Sequence, residues 1–290
     1  MLRTLKVAAF AIAVATSGAA HAESPLKPLG DGVFNFWSDY YNSLVVIGDD
    51  GVLVVDPAWG ARATAMKEEI AKVTDKPVTH VVLTHEHYDH AGGTEVFEGA
   101  DIVCHVTCSK FFELDVLGAA PDEVSITFED KLSIDLGGTS VELTHMGTGD
   151  GVATTVVYVP SAEVVATADL YAPSSLTNGM WLDDKNYLGT RKILNEVATW
   201  PMKHALSGHA ESTDPAALRE NAEYLNALYD AVKVELDKAM AEGGPSAAFA
   251  LLGGELPQSV KLPAYETWDG YSEHLPKHVW RMGMSIMHGG

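Results

Sequence analysis

Cysteine is nearly absent: Cys104 and Cys108 are the only two in 290 residues. That excludes a disulfide-framed small fold and a four-thiolate metal site. Four residues of extended chain span about 13 Å, beyond the Cα separation a bridge tolerates. Two separate thiols are therefore expected, unless the chain turns sharply between them. A metal site from Cys104, His105 and Cys108 would lack the second ligand pair that zinc cysteines normally have. Positive charge is also scarce, with 19 Lys and Arg against 40 Asp and Glu and a formal net charge of −21. An acidic surface gains no counterion release from phosphate backbones, which argues against nucleic acid and anionic membranes as partners. Long apolar runs are missing too. The N-terminal run Val7 to Thr16 falls short of the roughly 20 residues a span needs, and no later segment qualifies.

What is present begins with a leader pattern. Arg3 and Lys6 give a basic start, the apolar run follows, and Ala20-His21-Ala22 forms a small-residue cleavage site. Residues 1–22 are expected to be removed as a signal peptide, leaving Glu23 first and the mature protein in the periplasm without a membrane span. Hydrophobic content is 47%, enough for a real core. No Ser/Gly/Pro-rich tract divides residues 23–290, so one catalytic domain is expected, with a helical extension from about 214.

Val33–Trp37, Ser43–Ile47 and Val52–Val55 have strand character, the last two joined through the turn Asp49-Asp50-Gly51. Ala61 to Val73 has a helical pattern, and Pro77–Leu83 is a β-branched run typical of a strand buried on both faces. Further strands are expected at Ala100–Val106, Val124–Phe128, Leu132–Ile134 and Val141–Thr144. Thr155–Val159 and Glu163–Thr167 form a second hairpin. It ends in Ala168-Asp169 as the first ends in Val55-Asp56, which suggests a weak internal duplication of a ββ unit. Asp214-Pro215 is an N-cap followed by proline at the first helical position. Gly243-Gly244-Pro245 should stop that helix, and the remainder should wrap back on the domain.

The segment with the densest chemistry follows the Pro77–Leu83 run: Thr84-His85-Glu86-His87-Tyr88-Asp89-His90, then Ala91-Gly92-Gly93. In extended backbone His85 and His87 point to one side, so two imidazoles can grip one ion. The turn at Asp89-His90 can send a carboxylate and a third imidazole elsewhere. Three histidines and an aspartate within six positions rarely serve packing alone.

At these residues the chain resembles the metallo-β-lactamase superfamily, with its signature H-x-H-x-D-H at a strand end. Val54-Val55-Asp56-Pro57, Thr167-Ala168-Asp169-Leu170 and Ser207-Gly208-His209 match further family positions in the same order. The resemblance implies an α/β (α+β) fold, a four-layer αββα sandwich of two mixed β-sheets flanked by helices. It implies two divalent metal ions, Zn²⁺ first among them. His85 and His87 would hold the first ion, Asp89, His90 and His209 the second, and Asp169 would lie between them. Asp56 would support the metal loop. Where the family normally has a third histidine on the first metal, this chain has Asp150, in His145-Met146-Gly147-Thr148-Gly149-Asp150-Gly151. Asp150 as a ligand, Asp150 as a turn residue and His145 as substitute remain open here. As a ligand, Asp150 would add negative charge and favour harder ions such as Fe²⁺ or Mn²⁺ at the first site.

Paired cations make hydroxide available from a shared water near neutral pH, and Asp89 or Asp169 could orient it or shuttle its proton. The implied activity is hydrolysis of an ester, thioester, lactone, amide or phosphoester of a small organic molecule. Trp37, Tyr40, Tyr41, Trp59, Tyr88, Tyr171 and Trp181 would form an aromatic rim favouring an apolar substrate. Two alternatives stand beside it: an iron-dependent oxidoreductase like the persulfide dioxygenases of this fold, and a periplasmic protein that binds metal without turnover.

Overall fold

The computed structural model describes residues 24–183 and 185–289. The expected leader and its cleavage site lie outside the described residues. Strands β1 (Leu26–Gly30), β2 (Val33–Ser38), β3 (Tyr41–Ile47) and β4 (Val52–Val55) run antiparallel in sequence. Helix α1 (Gly60–Ile70) then leads to β5 (Val78–Val82), which pairs parallel with β4. The short helix α2 (Tyr88–Ala91) precedes β6 (Asp101–His105), and the short helix α3 (Ser109–Phe112) precedes β7 (Ile126–Phe128). Together these strands make one seven-stranded mixed sheet in chain order.

The second sheet has five strands, β8 (Lys131–Asp135), β9 (Ser140–His145), β10 (Thr155–Val159), β11 (Val164–Ala166) and β12 (His204–Leu206), in order β12-β11-β10-β9-β8. Helix α4 (Tyr187–Val197) crosses from β11 to β12, which run parallel. The suspected duplication is therefore larger than a hairpin. In each sheet an antiparallel hairpin ends in an aspartate loop, Asp56 or Asp169. A helix follows, α1 or α4, and then a parallel strand that delivers histidines, His85 after β5 and His209 after β12.

Alternation along the strands sets the layers. Leu53 and Val55 face Leu143, Val157 and Val164 in a core between the sheets. Val52 and Val54 face the other way, onto Ala63, Met66 and Ile70 of α1. On the far side, Val156, Val165 and Ala205 pack against α4, α5 (Pro215–Gly253) and α7 (Tyr271–His288). The result is the expected αββα order, and an apolar stripe on each outer helix closes its layer.

Asp214 caps α5 through its side chain, which accepts from the Ala216 amide at 2.9 Å. Gly244, at φ 68° and ψ −160°, breaks the helical path, but helical turns resume from Pro245 to Gly253. The sequence predicts a stop at Gly243–Pro245; the structure shows a kink, because Ala248 and Leu252 beyond it are buried in the same core. After the short helix α6 (Leu256–Ser259), α7 folds back across the domain. Among the described residues no helix is long and apolar enough to cross a membrane.

One expectation is overturned. Cys104 and Cys108 are joined in a disulfide, with their Cα atoms 6.2 Å apart. The strand ends at His105 and the chain turns at once, the Cys108 amide donating to the His105 carbonyl at 2.9 Å. The extended-chain estimate does not apply past that point.

Candidate metal centre

The chain leaves β5 through a bend at 84–86 and enters the single helical turn of α2. His85 and His87 point together, with ring centroids 4.4 Å apart. Glu86, between them, turns to the neighbouring 150–153 loop. Its two oxygens accept from the amides of Val152 (2.7 Å) and Ala153 (3.0 Å), which fastens the 150–153 loop beside the histidines. A Cβ on Gly151 would lie 2.7 Å from a Glu86 oxygen, so that close approach requires glycine.

Three groups of candidate ligand atoms result among the described residues: His85, His87 and Asp150; Asp89, His90 and His209; and Asp56, His85 and His90. In the third, both Asp56 oxygens already accept from Thr84, which leaves the first two as the open sites. Asp169 Oδ2 is 3.1 Å from both His90 Nε2 and His209 Nε2. His85, His87, Asp89, His90, Asp150, Asp169 and His209 are thus brought together. His145 does not join them: its Nδ1 is 2.8 Å from the Thr154 carbonyl and its ring stacks on His105. Asp150 is buried, with Oδ1 4.0 Å from His87 Nδ1, rather than an exposed turn residue.

Proton bookkeeping orients the imidazoles. Thr84 Oγ1 donates to Asp56 Oδ2 at 2.6 Å, so it can accept from His85 Nδ1 at 3.0 Å. His209 Nδ1 donates to the Tyr40 carbonyl at 2.9 Å, and His90 Nδ1 lies 3.5 Å from Asp56 Oδ2. These three rings are held at Nδ1, which leaves Nε2 for the site, whereas His87 faces Asp150 through its Nδ1. His85 Nε2, Asp150 Oδ1 and Asp169 Oδ1 are buried without a hydrogen-bond partner. Buried polar atoms rarely go unpaired, and three such atoms of ligand type at one site fit a divalent cation. Asp56 supports this arrangement as a hub. It also accepts from the Thr84 amide at 2.8 Å and takes a left-handed φ of 50°.

The charges reinforce one another. Burial pushes His90 down, but Asp169 and Asp56 outweigh it and raise its pKa well above the usual histidine value. Burial alone would raise Asp169; His90 and His209 hold it well below the usual carboxylate range. Burial drives His85 well down, helped by its neighbours His90 and His87, which favours the neutral imidazole, the form that can bind a metal.

Two participants escaped the sequence reading. Arg62 of α1 is buried and spends its donors on the carbonyls of Ser38, Pro57, Phe36 and Tyr41 and on Ser43 Oγ. Burial lowers its pKa to about 10, so it remains cationic at neutral pH. Lys185 donates from Nζ to Asp150 Oδ2 and to the Asp169 carbonyl. The negative charge expected of Asp150 is thus met by an ammonium, a pairing that residue spacing does not show.

Above the site lies a cleft of about 1270 Å³. Trp59, Tyr88, Phe111, Leu117, Val152 and Trp181 are among its walls, and Asp269 and His274 from the C-terminal extension close one side. Tyr41 and Tyr171 also reach it. Trp37 and Tyr40 of the expected rim do not line it and instead pack edge to face on one another.

Known proteins place this geometry. The 2,4-dinitroanisole O-demethylase subunit alpha of Nocardioides sp. (strain JS1661) is 27% identical over 148 residues, 49% of this chain and 45% of that protein. Metallo-beta-lactamase type 2 of Bacillus sp. (strain 170) is 27% identical over 148 residues, 51% of this chain and 57% of that one. The chain thus spans about half the length of the curated relatives it matches. The solved structure of the stereoselective inverting sec-alkylsulfatase Pisa1 from Pseudomonas sp. superposes with a TM-score of 0.70 at 15% identity. It covers 90% of this chain and 50% of that one, a span that must include C-terminal helices. The family model of the metallo-beta-lactamase superfamily matches residues 38–199, from the end of β2 through α4. That match takes in more than half of the chain and both aspartate loops, and the chain belongs to the metallo-β-lactamase superfamily.

Proposed function

We propose that the chain is an exported metal-dependent hydrolase acting on a bulky, largely apolar and uncharged ester, thioester, lactone or amide. The observation that carries the metal dependence is that His85, His90 and His209 are held at Nδ1 while His85 Nε2, Asp150 Oδ1 and Asp169 Oδ1 are buried and unpaired. His85, His87 and Asp150 would hold one ion and Asp89, His90, His209 and Asp169 another. When bound, such ions would supply Lewis-acid polarisation and lower the pKa of water.

The protein's own groups do the rest. Asp89, partly exposed at the cleft floor, is fixed by Tyr41, whose hydroxyl donates to Asp89 Oδ2 at 3.4 Å. Burial, together with Asp89, raises the Tyr41 pKa and keeps it a donor. Asp89 can take the proton of the attacking water at its carboxylate and return it to the leaving oxygen, sulfur or nitrogen as that atom's bond to the acyl carbon breaks. The apolar walls orient the substrate and exclude bulk water.

The relatives' names cover an O-demethylase subunit, a β-lactamase and an alkylsulfatase, so substrate choice falls to the cleft. Beyond the candidate ligands its walls carry Glu86 and Asp269 beside the apolar Trp59, Phe111, Leu117 and Trp181, which favours a substrate with an apolar, uncharged body. Metal analysis of protein from its own host, with ester, lactone, β-lactam and phosphoester panels, is the test. Turnover of aryl or long-chain esters or lactones that stops on chelation and returns with metal is expected; turnover indifferent to chelation would sink the proposal. Two histidines and a carboxylate at the first cluster also suit iron. Stoichiometric iron without hydrolysis would favour the oxidoreductase reading instead.

Export rests on the leader pattern, and the Cys104–Cys108 bridge is compatible with an oxidising compartment. Mass spectrometry of protein from the periplasm of its host should find a chain starting at Glu23. An intact Met1 chain in the cytoplasm would contradict this.

A further inference from the structure

The first cluster differs from the family pattern in the ligand type at 150, and the structure shows what accompanies the change. Asp150 and Lys185 are both buried, at 3% and 7% exposure. Lys185 Nζ occupies Asp150 Oδ2, while Oδ1 of the same carboxylate has no hydrogen-bond partner and lies 4.0 Å from His87 Nδ1. The lysine is built in. Its backbone forms a bridge with Asp150, and its Nζ also donates to the Asp169 carbonyl at 2.8 Å. Its carbonyl accepts from Arg281 Nε of α7 at 2.5 Å, and the Asn186 amide donates to the Gly149 carbonyl at 2.8 Å. The C-terminal extension therefore reaches into the metal centre through Arg281 and Lys185.

We propose that Asp150 and Lys185 act as one ligand unit of zero net charge in place of a neutral imidazole. Lys185 is the positioning residue: it binds one carboxylate oxygen and leaves the other for the ion. The proposal rests on reading His85, His87 and Asp150 as a cation site. Two neutral imidazoles with a carboxylate and an ammonium sum to zero, as three imidazoles do. A lone Asp150 would leave the cluster one charge more negative and would itself be a buried carboxylate without a counter-ion, a costly state. A histidine at 150 beside an unchanged Lys185 would leave it one charge more positive. Neither residue is exchangeable alone.

The test is a four-member cycle: the native chain, Lys185→Met, Asp150→His and the double variant, each stripped with chelator and titrated with Zn²⁺. Native mass spectrometry gives stoichiometry, and competition with a chromophoric chelator gives the Kd of each site. Asp150→His alone should weaken the first site on the order of tenfold or more, because an uncompensated ammonium then stands a few ångströms from a dication. Adding Lys185→Met should recover that loss, so the effect of Lys185→Met differs between the two backgrounds by on the order of tenfold or more. The isosteric Asp150→Asn, with and without Lys185→Met, repeats the comparison should the histidine not fit. Retention of the second ion by Asp89, His90, Asp169 and His209 shows that each variant is folded, and recovery by a second substitution cannot come from damage. The proposal is overturned if Lys185→Met changes the Kd by one factor in both backgrounds, or if the native chain holds a single ion. A native chain that binds no ion overturns the metal-site reading as well.

Discussion

Alanine at His87 or at His209 is expected to lower turnover by roughly a thousandfold or more, each variant losing the ion on its own side of the site. A metal's charge stabilisation is worth several kcal/mol to a transition state, and about 1.4 kcal/mol is a factor of ten. The two positions suit the test because both are less buried than the other histidines of the site. His87 and His209 keep partial exposure, with side chains 28% and 42% accessible, unlike His85 and His90 at 1%. Loss of activity therefore reports on the site. Metal content should fall from the native value in each variant, with thermal unfolding little changed. Asp169 is bonded to both His90 and His209, so removing His209 also leaves that buried carboxylate with one partner fewer. Native turnover in both variants would require a different active site.

How much of this was legible in the sequence depends on how local the signal is. His85, His87, Asp89 and His90 are adjacent, so one bend and one helical turn bring them together, and their spacing shows it. Asp169 and His209 lie far along the chain. The echoed hairpin ending marked Asp169, but only the resemblance made either of them a ligand, although the repeated unit of hairpin, helix and parallel strand explains why they reach the same edge. Lys185 was invisible because a lone lysine in a loop carries no pattern. Its only trace is the aspartate at 150, a buried negative charge that has to find a partner. The disulfide was misjudged because straight-strand geometry was carried past His105, where the strand ends. Helix α4 went unread although Tyr187, Ile193, Leu194 and Val197 keep a helical period that Gly189 weakens. That glycine is needed, since a Cβ there would overlap the Thr148 carbonyl that packs against it. In α7, Pro276 and Gly283 obscure a similar period.

Arg62 supports the centre from behind, and Arg62→Met is expected to cost about 3–5 kcal/mol of stability, an effect usually confined to buried networks. The guanidinium satisfies four carbonyls and one hydroxyl at 2.8–3.0 Å. Methionine fills much of the volume but leaves buried acceptors unpaired, each worth about 1–3 kcal/mol, with water able to reach some of them. The damage should travel. Arg62 Nη1 bonds both Ser43 Oγ and the Pro57 carbonyl, and Ser43 Oγ in turn donates to the Asp56 carbonyl at 2.5 Å. Asp56 and Ala58 on either side of Pro57 hold left-handed φ values of 50° and 57°, conformations that such residues keep only when their surroundings impose them. Freed from Arg62, this loop should relax and release Thr84 and His90, which Asp56 orients. Urea unfolding should therefore show the stability loss, and metal titration of the still-folded variant should show weaker binding at the second cluster, although Arg62 touches no ligand. Lysine at 62 should recover little of either, because a single ammonium cannot serve five acceptors spread around a planar fork. A loss below about 1 kcal/mol would mean that water replaces the guanidinium at little cost, and the aspartate hub would then stand without it.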